Sequence, residues 1–177
     1  MDCGPSCLKM VAEYYGKNYS LQNLRVKSYI TRAGVSMLGI SDAAEAIGFR
    51  TMGVKASLEK MVRENPVPFI AHWGQNHFVV VYKMKAIRGA TLSRTPNDYK
   101  IWVADPAHGL VTYSGMEFSK HWASSKEDGE HVGVALLLEP TPDFYEKGED
   151  KKSRTSLAFL KEYLRPHKKF MVQISNG

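Results

Sequence analysis

Apolar positions change their period twice along this chain. In the first third they recur at helical spacing. Leu8, Val11 and Tyr15 fall on one stripe, and Ile40, Ala43, Ala44 and Ile47 form another. Punctuation residues bound both stripes. Asp2 precedes the first as an N-cap, Pro5 stands in its opening turn, and Gly16 takes the place of a C′ glycine. Ser36 opens the second stripe and Gly48 closes it. A short helix is predicted over 21–28, a short strand over 49–54, and a helix capped by Ser57 that ends before Asn65-Pro66.

From Pro68 the period shortens. Segments 68–72, 77–82, 100–104, 110–113 and 132–138 are rich in β-branched and aromatic residues, with polar or glycine-containing breaks between several of them. The strongest is HFVVVY at 77–82. The basic, turn-rich stretch 85–98 is expected to be an exposed hairpin loop. Helices first and strands second predict an α+β fold with a mostly antiparallel sheet.

A third regime starts at Pro140. PTPDFYEKGEDKKSRTS is polar and charged, the composition of a linker. Beyond it, Leu157, Leu160 and Leu164 give an amphipathic face stopped by Pro166, next to the basic cluster Arg165, His167, Lys168 and Lys169. The expected division is a folded domain over 1–139 and, over 140–177, a polar linker with an amphipathic basic helix.

Composition narrows the classes. With 177 residues, 44% hydrophobic and 24% charged, the chain is globular rather than disordered and suits one domain with an appendage. A net charge of +6 is mild. Lys83, Lys85 and Arg88 lack interleaved aromatics or a nucleic-acid motif, so they read as a solvated face and nucleic acid is not an expected partner. No run approaches a membrane span, and no signal-peptide pattern opens the sequence. The only cysteines are Cys3 and Cys7. Four apart on one helix face, they suit neither a disulfide nor, alone, a tetrahedral zinc site. A reducing compartment and no metal are expected.

Chemistry then centres on three residues. A cysteine at a helix start sits where exposed amides and the helix dipole stabilise a thiolate. A thiolate nucleophile also needs an imidazole beside it and a polar group to orient the ring, both usually distant in sequence. His77 stands at the mouth of the strongest strand, and Asp105 ends the next one. Cys3, His77 and Asp105 therefore form a candidate triad. Residue types and spacing leave other readings open: Cys3 as a small buried thiol and Asp105 before Pro106 as turn chemistry. Cys7 reads as packing, His72 as a core or surface histidine, and His108 and His121 as structural.

The opening MDCGPSCLKMVAEYYG resembles that of the double-glycine leader peptidases, the papain-like N-terminal peptidase domains of bacterial peptidase-containing ABC transporters. NHFVVVYK is similar to the family's histidine strand. VADPAHGLVTYSGMEFSKHW is similar to its aspartate strand, hairpin and following helix, and AAEAIGF to its third helix. The resemblance runs in order from Met1 to about Leu138. It implies a papain-like cysteine peptidase fold, with a helical N-terminal half packed on the sheet. Cys3 would be the nucleophile, His77 the base and acid, and Asp105 the orienting residue. The reaction implied is cleavage of precursor peptides, bacteriocin-like or similar, after a Gly-Gly leader motif, coupled to export.

Implied partners are a precursor with an amphipathic leader helix, and transmembrane and nucleotide-binding domains of the same protein. The full transporter is expected to be a homodimer on the cytoplasmic side of a bacterial membrane, and the isolated domain soluble and monomeric. No cofactor is expected for the peptidase; ATP would belong to the nucleotide-binding domain. Trp73 is a candidate wall of a narrow glycine channel, and Met37 and Leu38, off the Ile40–Ile47 stripe, are candidates for an apolar leader groove.

Two departures stand out. The family's oxyanion glutamine, expected a few residues before the cysteine, is not among these residues, and Gln75 is not at the matching position. Loss of one such donor costs about 100- to 1000-fold. The segment between the histidine and aspartate strands is also long, so the placement of Asp105 rests on ADPAHG. Two rival readings follow: a non-catalytic cargo-recruiting domain of the same fold, and a papain-like transglutaminase or amidase.

Overall fold

A computed structural model of the chain describes residues 2–28, 35–74, 76–87, 98–127 and 129–148. Three helices come first: α1 (Cys3–Tyr14), α2 (Leu21–Lys27) and α3 (Met37–Ala46). Strand β1 (Phe49–Ser57) and helix α4 (Leu58–Glu64) follow, then β2 (Phe69–Trp73), β3 (His77–Ala86), β4 (Tyr99–Asp105) and β5 (Gly109–Ser114). The chain continues through α5 (Gly115–Trp122), β6 (Ala123–Glu127), β7 (Glu130–Pro140) and α6 (Pro142–Glu146). The strands form one sheet in the order β1-β7-β2-β3-β4-β5, with β6 also on β7, and every pairing is antiparallel.

Helices cover both faces of this sheet. Ile70, Phe78, Val80, Ala104 and Leu136 pack with Cys7, Leu8, Val11 and Ile40 on one side. Ala71, Val79, Val81, Ile101 and Ala135 pack with Met61, Phe118 and Trp122 on the other. A strand buried on both faces has no polar alternation. That is why 78–81 reads as one continuous apolar run, and why β3 lies at the centre with rigid support on every side.

The helix punctuation works as the sequence implies, with one exception. Gly16 adopts φ +92°, and the pair Gly16 N–H to Glu13 O (3.0 Å) and Lys17 N–H to Ala12 O (3.0 Å) closes α1. Ser36 and Ser57 accept from the amides of Gly39 and Lys60. Asp2 occupies the N-cap position of α1 but its side chain makes no cap bond. Its carboxylate pairs with the Arg25 guanidinium of α2 instead.

Three boundaries differ from expectation. Strand β1 is longer than 49–54 because it pairs with β7 without a break from Phe49↔Pro140 to Ser57↔Val132. Of the predicted loop over 85–98, residues 85 and 86 belong to β3, which runs to Ala86, and Ile87 N–H donates to Asp98 O at 2.7 Å; residues 88–97 lie outside the described residues. Nor does 140–148 behave as a linker. Phe144 is fully buried, 4.4 Å from Phe49 between ring centroids, and Thr141 Oγ1 donates to Gly48 O at 2.7 Å. Gly48, at φ +100°, admits this approach; a Cβ there would lie 2.4 Å from Phe144 N. The buried ring and the Thr141 hydrogen bond, with Lys17 Nζ donating to Tyr145 O at 3.0 Å and Lys147 O at 2.7 Å, dock the stretch. The folded unit therefore continues past the expected end at 139. The amphipathic and basic segment after it lies outside the described residues.

Gly133 supplies a packing test. A Cβ there would fall 2.3 Å from Trp122 Cδ2, and that ring is pinned by its Nε1–H bond to Val134 O at 2.9 Å. Gly133→Ala is expected to destabilise the protein by about 1–3 kcal/mol, read as a lower denaturation midpoint. An unchanged midpoint would mean that the indole can shift.

Candidate active site

The first turn of α1, the start of β3 and the end of β4 carry the three singled-out residues. Cys3 opens α1 and is 7% exposed. The amides of Cys3 and Gly4 have no intrahelical acceptor there, and Pro5 brings no amide at all. Gly4 is small for a steric reason: a Cβ would fall 2.3 Å from Val35 Cγ1 and 2.8 Å from Ile40 Cδ1. The glycine after Cys3 thus lets α3 close on the first turn of α1. The Asp2–Arg25 pair ties the same turn to α2, and the Arg25 hydrogen bond draws the Asp2 carboxyl below its usual range.

Helix α1 lies on β3. Cys7 donates its Sγ–H to Phe78 O at 3.2 Å, directly after His77 in the chain. Cys3 is one turn from Cys7 on the same helix face, about 6 Å along the axis. Cys7 is fully buried, and burial, aided by the charges of Cys3 and Asp105, pushes its thiol well above the usual range. Cys7 is therefore an inert packing thiol that shields the strand.

His77 and Asp105 meet directly. Their Nε2 and Oδ1 atoms are 2.8 Å apart. The sheet brings them together because β3 and β4 pair antiparallel through Val80↔Ala104, which sets the start of one strand beside the end of the other. Asp105 is 4% exposed. Burial pushes its carboxyl up, but hydrogen bonds from His77, the Ala107 amide and His108, and then the His77 charge, bring it below the usual range. An ionised carboxylate only accepts. Nε2 of His77 is then the donor, and Nδ1 carries the lone pair of the neutral ring.

Of the remaining candidates, Trp73 is 9% exposed and is the Cα partner of His77 across β2 and β3. Its ring stacks on His121 with centroids 5.1 Å apart and also contacts Tyr113 and Phe118. Burial, then the Asp105 and Glu117 charges, raise the Tyr113 phenol. Met37 is half-buried against the first core, whereas Leu38 is 70% exposed. His108, read above as structural, binds Asp105 Oδ2 through Nδ1 at 2.9 Å. Its three-residue spacing in the turn DPAHG was the available signal. Among the described residues no cluster suits a metal ion, and no helix is long and apolar enough to cross a membrane.

Comparison with known proteins adds to this geometry. Residues 1–126 match the peptidase C39 family. The chain is 33% identical over 148 residues to the lactococcin-G-processing and transport ATP-binding protein LagD of Lactococcus lactis subsp. lactis, covering 81% of this chain and 18% of that protein. It is 31% identical over 159 residues to the colicin V secretion/processing ATP-binding protein CvaB of Escherichia coli, covering 90% and 19%. The chain thus spans about a fifth of the length of these relatives. Among solved structures, a double glycine motif protease from an AMS/PCAT transporter, in complex with the leader peptide, aligns with TM-score 0.62 and 29% identity over 79% of this chain and 85% of that one. The peptidase domain of Streptococcus ComA aligns with TM-score 0.58 and 31% identity over 79% and 92%.

Proposed function

The chain belongs to the peptidase C39 family, and on that premise we propose that it is a cysteine endopeptidase that cuts precursor peptides after a Gly-Gly leader motif. The observation that carries this reading is the 2.8 Å contact between His77 Nε2 and Asp105 Oδ1. With Nε2 committed to Asp105, Nδ1 of His77 is the nitrogen that would serve a thiol, and Cys3 heads the helix packed on the same strand.

The reaction has two halves. His77 takes the Cys3 proton, and the thiolate attacks the carbonyl carbon of the second glycine. The Cys3 amide donates to the oxyanion as it forms. His77 returns its proton to the leaving amine as the C–N bond breaks, leaving a thioester on Cys3. Water, deprotonated by His77, then attacks the thioester carbonyl and releases the leader as a free acid. Asp105 holds the ring and stabilises the imidazolium throughout.

Glycines at the cut need little room. Selectivity then comes from a passage too narrow for larger side chains, with Trp73 beside His77 as its candidate wall, and from anchoring of the leader away from the cut, with Met37 and Leu38 as candidate contacts. The natural setting is the cytoplasmic side of a bacterial membrane, with transmembrane and nucleotide-binding domains exporting the product. Mass spectrometry of products from a small panel of Gly-Gly leader precursors tests the proposal. A single cut after the glycine pair is expected. Cleavage elsewhere would overturn the assigned specificity, and binding without cleavage would favour a cargo-recruiting role.

A further inference from the structure

The Asp105 carboxylate has two oxygens, and each is held. Oδ1 accepts from His77 Nε2 at 2.8 Å and from the Ala107 amide at 2.8 Å. Oδ2 faces His108 Nδ1 at 2.9 Å. We propose that His108 is a positioning residue of this site, clamping the carboxylate from the side away from His77 and fixing the orientation in which Asp105 accepts from His77. The inference rests on the peptidase reading above for its activity readout, and not for its geometry.

The turn is built to deliver this contact. Asp105 pairs with Gly109 across the β4–β5 hairpin, and Gly109 takes φ +82°. His108 N–H donates to Asp105 O at 3.3 Å, which folds residue 108 back over the strand end. The His108 side chain is 75% exposed, so packing does not account for its placement. A carboxylate held by one oxygen is free to swing about its Cβ–Cγ bond; holding the second oxygen removes that freedom.

The groups around Asp105 keep the comparison clean. His77 faces it from β3, and the charge of Asp105 also reaches Cys7 on α1 and Tyr113 on β5. The Cys7 thiol and the Tyr113 phenol are both raised, so both stay neutral near pH 7. Nδ1–H of His108 is a donor in the cation and in one neutral tautomer, so the clamp survives loss of the charge.

The test compares wild type with His108→Ala and His108→Asn. The asparagine amide nitrogen sits at the same distance from Cβ as Nδ1 and is a neutral donor. On a Gly-Gly precursor at pH 7.5, the alanine variant is expected to lower kcat roughly 3- to 10-fold, since the bond is charge-assisted but solvent-exposed. KM should stay within about twofold, and the asparagine variant should restore kcat to within about twofold. Iodoacetamide alkylation of Cys3 between pH 6 and 8 gives a readout that needs no peptide. It should slow in His108→Ala and recover in His108→Asn. Equal kcat and equal alkylation in wild type and His108→Ala would overturn the proposal, as would a failure of asparagine to rescue. If wild type does not cleave the precursor but Cys3 alkylation follows residue 108 as stated, the peptidase reading fails and the clamp stands. If cleavage is normal and residue 108 has no effect, the reverse holds.

Discussion

Cys3→Ala is expected to abolish cleavage of a Gly-Gly precursor, with kcat/KM down about 10⁴-fold or more, while the leader still binds. The size follows from the role. No other thiol can substitute: Cys7 is fully buried, donates to Phe78 O, and is held protonated by burial. A peptide carbonyl attacked by water alone, even beside His77, lacks the covalent step that splits a difficult reaction in two. Leader binding should survive because the alanine methyl removes one atom from the first turn of α1. That turn is anchored by other means, by Asp2 on Arg25 and by the close fit of Gly4 against Val35 and Ile40. Cleavage would be followed by mass spectrometry and binding by titration calorimetry with the leader peptide alone. Equal turnover in both proteins would remove Cys3 from the mechanism. Loss of binding along with cleavage would move Cys3 into the leader site.

Much of this arrangement is legible in the sequence because it depends on local chemistry. The stripe Ile40, Ala43, Ala44, Ile47 and the serine caps at 36 and 57 mark helices whose ends are fixed within a few residues. The run 78–81 marks a central strand because burial on both faces permits nothing polar there. What the sequence conceals depends on long-range partners. Strand β1 extends to Ser57 only because β7 offers an unbroken partner over 132–140. Phe144 looks like one of two aromatics in a linker until Gly48, 96 positions earlier by number, presents the surface it needs. At the site, the pairing of His77 with Asp105 follows from two strand ends and an antiparallel rule. The second histidine on Asp105 does not, because turn residues such as His108 and Gly109 take their meaning from a backbone angle.

His77→Ala and Asp105→Asn should separate by size. Loss of His77 removes every proton transfer it carries in the two half-reactions, so a fall of about 10³-fold or more is expected. Asp105→Asn should cost far less, about 10-fold, because an amide oxygen can still accept from Nε2–H and papain-like enzymes work with asparagine in this role. The amide nitrogen would then meet Nδ1–H of His108. At 75% side-chain exposure that ring can take its other tautomer at little cost. Steady-state rates on one precursor decide the ranking; no loss in Asp105→Asn would place the orienting role elsewhere. The same variant has a pH signature in stability. The Asp105 carboxyl is lowered in the fold, because three hydrogen bonds and the His77 charge outweigh its burial. Below the unfolded value of about 3.9, the unfolded chain takes up a proton that the native state still refuses. The stabilisation is therefore complete above that value and disappears as pH falls through the lower native one. Urea midpoints should accordingly favour wild type over Asp105→Asn at pH 6, with the gap closing as pH falls below 4. A gap independent of pH would mean that the carboxylate charge contributes nothing to the fold, and that its hydrogen bonds act through geometry alone.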